Sequence, residues 1–330
     1  MQPTLDSAKH AFDHENSDFA SLLALAADLK QAQAKYSDAE ELCRQTLRAR
    51  EEVLGKKHPG TLTSMDSLAM VLRGQGKYSD AEELCRQTLR AREEVLGQKH
   101  PGTLTSMNSL AMVLRDQGKY SDTEELCRQT LRAREEVLGQ KHPDTLTIMN
   151  NLAMVLQSQG KYKDAKELYQ QTLGKREAVL GKEHPDTFQS LSGLAVTLRC
   201  QCKYEAAEAL QKLALTGLKE VLGADHQYTI TSMQNLSVAL WYRCKYSEGQ
   251  ELIQEVLEKR RVLGEEHPQF LICIGILAAM LLAQGQFDEA ERLFRVELEG
   301  LEKVLGKEHP ETRRSFCSLT EARMAKQSSH

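Results

Sequence analysis

Aromatic side chains are scarce in this sequence, 5% of residues with a single Trp. A large excess of either charge is lacking too. Lys and Arg number 43 against 47 Asp and Glu, a net charge of −4, and nothing supplies the basic surface that nucleic-acid binding requires. No long hydrophobic run occurs. The greasiest stretch, Phe270 to Ala283, is 14 residues, short of the roughly 20 that span a bilayer. The polar start MQPTLDSAKHAFDHENSD has no apolar stretch of signal-peptide length, so a cytoplasmic protein without a membrane partner is expected. No Gly-rich phosphate loop, serine–histidine–acid set or paired catalytic carboxylates stand out, and the chain reads as non-catalytic with no cofactor.

What the sequence does have is repetition. Tyr36–Gly55 reads YSDAEELCRQTLRAREEVLG, recurs unchanged at Tyr78–Gly97, and recurs with one change at Tyr120–Gly139. Weaker copies begin at Tyr162, Tyr204, Tyr246 and Phe287, at a spacing of 42 residues with one step of 41. A second marker keeps the same step: His58, His100, His142, His184, His226, His267 and His309, nearly all followed by Pro. The missing residue of the short step lies between Tyr246 and His267. A fixed period of this size signals a solenoid in which each unit buries its apolar side on its neighbour.

Each unit reads as two helices. Leu62, Met65, Leu68, Ala69 and Leu72 form one apolar stripe, with Pro59 at the start and Gly74-Gln75-Gly76-Lys77 as a breaking turn. Ala81, Leu84, Cys85, Thr88 and Leu89 form a second stripe, ended by Gly97. Ser79 followed by Glu82 has the spacing of a capping box, repeated at Ser37 and Ser121. The expected fold is an all-α, right-handed superhelical solenoid of antiparallel helix pairs. The expected division is a polar tail over 1–17, helix pairs over 18–58, 59–100, 101–142, 143–184, 185–226, 227–267 and 268–309, and a capping helix and tail over 310–330.

Leu68-Ala69, Leu72, Gly76, Tyr78, Ala81, Thr88 and Leu89 resemble the tetratricopeptide signature, whose usual unit is about 34 residues. The longer unit with LGxxHPxT between hairpins is similar to the kinesin light chain variety. HPDTLTIMNNLA at His142–Ala153 also resembles repeat arrays of filamentous fungi that serve as sensors of NACHT or NB-ARC signalling ATPases. The resemblance implies a scaffold that binds a peptide or helix segment of another protein in a concave groove, with a sensor array lacking its ATPase module as the alternative. It places the groove on the first helix of each pair. The implied peptide-gripping amides are Asn108, Asn150, Asn151 and Asn235, with Gln157 beside them. Arg73, Arg115 and Arg199 on the same face favour acidic peptides. Met112 and Met154 read either as an adaptable apolar floor or as packing between repeats, and Trp241 either as a ligand anchor or as filler in a less regular hairpin.

Three further columns are best read as structural. The histidines stand one per loop, too far apart to share a metal ion, and suit loop caps before Pro. Cys43, Cys85 and Cys127 fall on one core column as small hydrophobes. The arginines at 50, 92, 134 and 176, each followed by Glu, read as stems packed along a helix with heads paired to carboxylates, a column that Leu218 interrupts.

Overall fold

A computed structural model of the protein describes residues 20–31 and 35–328. The expected polar tail over 1–17 lies outside them. The described residues form helices and turns with no strand. Residues 20–31 are helix α1, followed by α2 (Tyr36–Leu54), α3 (Pro59–Gly74), α4 (Tyr78–Leu96) and α5 (Pro101–Asp116). Then come α6 (Tyr120–Leu138), α7 (Pro143–Ser158), α8 (Tyr162–Leu180), α9 (Pro185–Cys200) and α10 (Tyr204–Leu222). The chain continues with α11 (Gln227–Tyr242), α12 (Tyr246–Arg260), α13 (Pro268–Ala283), α14 (Phe287–Leu305) and α15 (Pro310–Ser328). It divides into two compact units, one ending at Asp116 and the other beginning at Gln117. Within each unit, successive helices pack on one another as an all-α stack of hairpins. The short sixth repeat absorbs its missing residue at the end of α12, where the chain tightens into a 3-10 turn over Arg261–Leu263.

The loop motif has a physical account at every position. Gly55 and Gly97 end their helices at φ 88 with ψ near 160, a conformation essentially reserved for glycine. Three residues on, His58 is extended, and its Nδ1 accepts the backbone N–H of Gly60 at 3.1 Å. The following Pro takes the first helical position, where a donor would go unused. Thr61 and Thr103 are buried, and their hydroxyls donate to the carbonyls of Gly55 and Gly97 at 2.8 Å, closing the loop. In the second unit His184, Asp186, Thr187 and Gly181 repeat the arrangement.

One sequence reading needs correction. The capping box does not form: α2, α4 and α6 begin at the tyrosine, their N-caps are Lys35, Lys77 and Lys119, and no side chain caps them. With the cap two residues before the serine, the Glu of the box serves the seam between repeats instead. Lys77 donates to Glu40 at 2.9 Å, and Lys161 to Glu124 at 2.8 Å. Burial pushes the Glu40 carboxyl up, but Lys77, Arg44 and Gln75 outweigh it and hold the group at about 2. The arginine column follows its reading more closely: Arg92 and Arg176 are buried, at 5% and 2% exposure, and each head has a carboxylate beside it, Asp66 for Arg92 and Asp186 for Arg176. Each reaches the carbonyl of the second residue of the next first helix, Gly102 for Arg92 and Asp186 for Arg176. The cysteine column is core as expected. Cys43, Cys85 and Cys127 are buried, and burial pushes the Cys85 thiol up to about 12.

Candidate ligand-binding face

The first helices of the repeats carry the residues that the sequence proposes for ligand contact. In the first unit, Thr63, Asp66, Ser67 and Met70 of α3 and Thr105 and Ser109 of α5 line a cleft of about 560 Å³. Its polar floor is an ion pair, Arg92 to Asp66 at 2.9 Å, with the Ser106 hydroxyl donating to the same carboxylate at 2.9 Å. Burial pushes the Asp66 carboxyl up to about 6 in spite of Arg92 and Ser106. Hydroxyls, a carboxylate, a guanidinium and a thioether thus converge on one open space, a set that can donate to and accept from a peptide backbone while covering an apolar side chain.

Arg73 and Arg115 lie at the end of the same helices. Both are engaged by Asp116, whose carboxylate takes Arg73 Nε at 2.6 Å and Arg115 at 2.6 Å. Burial alone would raise the Asp116 carboxyl, but Arg115 and Arg73 hold it below the usual carboxylate range. The local positive charge that the sequence suggests is therefore partly cancelled. Asn108 and Met112 are half-buried.

In the second unit the amides join repeats to one another. Asn150 is 4% exposed, its carbonyl accepts from Ser190 at 3.0 Å, and its N–H points at the Met154 sulfur, 3.6 Å away. Asn151 is buried as well. Gln157 accepts from Thr197 at 3.2 Å, and Asn235 donates to Ser192 at 3.3 Å. Ser192 in turn belongs to a buried network that the sequence reading missed. Gln211, 1% exposed on the cysteine column, accepts from the Ser192 hydroxyl and donates to Ser232. A polar residue at a core position in an otherwise apolar column is the signal that could have revealed it.

Arg199 differs from the other two arginines. Its guanidinium lies over the Tyr242 ring, 5.2 Å from the centroid, and among the described residues no carboxylate pairs with it. Tyr242 also stacks on Tyr204 at 5.1 Å and meets Trp241 at 4.7 Å. Trp241 is half-buried against the cluster of Met233, Leu236 and Leu240, so it fills core space and contributes to the aromatic ledge at once. Cys202 and Cys244 are exposed at φ 60 and 59, in turns where earlier repeats use glycine. Among the described residues, no group of three or more His, Cys, Asp or Glu could hold a metal ion, and no helix is long and apolar enough to cross a membrane.

Comparison with known proteins adds the following. A sequence model described as tetratricopeptide repeat matches residues 18–94, 67–122, 102–178 and 186–261, and two related models of the same description match 271–311 and 150–219. No curated protein matches the chain. Among solved structures, a Podospora anserina kinesin light chain-like protein with nearly identical TPR-like repeats is 25% identical over 62% of this chain and 96% of its own, with a TM-score of 0.48. The apo form of RapI is 13% identical over 86% of this chain and 98% of its own, at a TM-score of 0.60. Yeast Tom70 is 15% identical over 94% of this chain and 64% of its own, at 0.56. At those identities the last two speak for the fold.

Proposed function

This chain belongs to the tetratricopeptide repeat family, and from that premise we propose that it is a protein–protein interaction scaffold that holds a peptide or helix segment on the face of its first helices. One observation carries the reading. The cleft of about 560 Å³ in the first unit is lined by Thr63, Ser67, Met70 and Thr105, positions off the packing stripe that recur from repeat to repeat. Such positions are neither needed for the core nor spread over a random surface. Arg199, without a carboxylate partner among the described residues, is the counterpart in the second unit for an acidic residue of the partner. The lineage we assign within the family, kinesin light chain-like, rests on the LGxxHPxT loops and the 42-residue step.

The test is a selection of random dodecapeptides on the full chain. Enriched peptides should lose at least about tenfold in affinity, about 1.4 kcal/mol, when Ser67→Trp fills the cleft. Val95→Trp, at an exposed site on the last turn of α4, should leave them bound. Enrichment of nothing, or peptides indifferent to Ser67→Trp in a chain of unchanged helicity, removes the cleft from the function.

A further inference from the structure

Glu297 in α14 is a buried carboxyl group in a place where every earlier repeat does without one. It is 3% exposed. The equivalent residue is Thr88 in α4 and Thr172 in α8, each donating to a carbonyl of its own helix. The longer Glu reaches across to α13, where Gly275 makes room. A Cβ on Gly275 would sit 2.2 Å from Glu297 Oε1. The residues equivalent to Gly275 are Asp66 in α3 and Asn150 in α7, so the Glu297 carboxyl stands where their side chains stand. The partner is also preserved. Ser315 of α15 donates to Glu297 Oε2 at 2.9 Å, as Ser106 does to Asp66 and Ser190 to Asn150.

What is not preserved is the arginine. The α14 residue equivalent to Arg92 and Arg176 is Leu301, fully buried. The groups facing Glu297 from the helices packed on α14 are few. From α13 there is the buried Cys273 thiol, itself acted on by Arg260 of α12. From α15 there are Arg314 and Glu311, which are paired with each other. The carboxyl is thus bonded by one hydroxyl and compensated by no cation of its own. A neutral carboxyl is accommodated in such a site, whereas an ionised one is costly to bury.

We propose that Glu297 is a pH-sensitive latch for α15, which stays docked while the carboxyl holds its proton and loosens as the proton leaves. Burial pushes the Glu297 carboxyl up to about 7 against the pull of Ser315 and Arg314. A raised value means that the docked state binds the proton more tightly than the released one. The stabilisation is complete below the ordinary value of 4.5 and is lost as pH rises through about 7. Release of α15 removes Leu319 and Ala322 from the cluster they form with Ala290 and Phe294, uncovering the α14 stripe.

Hydrogen exchange on the full chain tests this, with each amide normalised to its unstructured rate and α9 as an internal reference. Between pH 5 and pH 8 the protection of α15 should fall on the order of a hundredfold, while that of α9 stays level. In Glu297→Gln the fall should disappear. Glu297→Thr, which restores the residue of the earlier repeats, should also give pH-independent protection and serves if the Gln variant folds poorly. An α15 whose protection does not change between pH 5 and pH 8 overturns the latch. So does a fall of the same size in both variants, because the titrating group then lies elsewhere.

Discussion

Helices α8 and α10 hold the same place in successive repeats, yet one buries Arg176 where the other buries Leu218. The surroundings differ to match. Near Arg176 stands the Asp186 carboxylate at 3.8 Å, with Ser190 at 2.9 Å. Around Leu218 the position of Asp186 is taken by Tyr228, and that of Asn150 by Ser192. In the first unit Gly102 replaces Asp186 and offers no carboxylate, but Asp66 supplies one to Arg92 instead. A carboxylate therefore accompanies Arg92 and Arg176 and is absent around Leu218, though it comes from two different positions. The physical reason is the cost of an uncompensated charge in a seam that water does not reach. The seam between repeats is consequently not a uniform apolar layer. It is a set of alternative solutions to one electrostatic condition.

Exchanging the two residues gives the largest expected effects. Leu218→Arg places a guanidinium among Phe188, Leu191 and Ala214 with no counter-ion, and should cost about 4 kcal/mol or more. Arg176→Leu removes the charge together with its need for compensation. It leaves Ser190 its bond to Asn150, and Asp186 remains a third exposed, so the cost should be about 1–2 kcal/mol. Urea unfolding of the full chain, with exchange protection of α8 and α10 to locate the effect, measures both. Equal costs would mean that side-chain volume, not charge, governs the seam.

A smaller effect separates the same repeats at their rims. Lys161 reaches back to Glu124, and Lys245 to Glu208, but the residue that would receive Lys203 is Lys166. Hydrogen bonds from Lys161 and Arg128 hold the Glu124 carboxyl at about 2, against a raising effect of burial. A depressed value stabilises the fold above the ordinary 4.5 and ceases to do so as pH falls through about 2. Glu124→Gln should therefore cost about 1 kcal/mol at pH 7 and nothing at pH 2, a modest size because the link is at the surface. Lys166→Glu should gain a few tenths of that by giving Lys203 a partner. A pH-independent cost for Glu124→Gln would assign the loss to packing.

How much of this was legible beforehand depends on how far apart the interacting residues lie. Features local to one repeat were readable: the helical stripes, the buried Cys column, and histidines that cap the loops. The capping box was misread because Ser79 and Glu82 fit a local rule, whereas the helix starts at Tyr78 and the Glu of the box answers a lysine of the next repeat, as Glu40 does Lys77. The proposed groove amides were readable as polar columns, but not their partners. Asn150 meets Ser190 only once the next repeat is stacked, 40 residues on. Compensations of size were hidden for the same reason. Tyr169 is accommodated because Gly193 leaves its ring room, and Phe188 because of Gly217. The cleft of the first unit lies on the first helices, where the sequence reading put the groove, while its ion-paired floor needed the arginine to be buried, which a sequence column cannot say.

The least effect expected lies in the turns of the same two repeats. Between α7 and α8 the turn uses Gly160 at φ 78, and between α9 and α10 it uses Cys202 at φ 60. For a side chain this left-handed conformation costs roughly 1–2 kcal/mol, while glycine loses about 0.5–1 kcal/mol more freedom on folding. The Cys202 thiol also lies close to the Tyr204 hydroxyl, a contact that glycine would forfeit. The three contributions leave a gain of about 0.5 kcal/mol for Cys202→Gly, and the same for Cys244→Gly, whose thiol lies close to the Tyr246 hydroxyl. The double variant should unfold at a slightly higher urea concentration, with the two gains additive because the turns belong to different repeats. A loss of stability would instead show that the thiol–tyrosine contacts outweigh the backbone strain, and that the divergent repeats have replaced a glycine's freedom with a contact of their own.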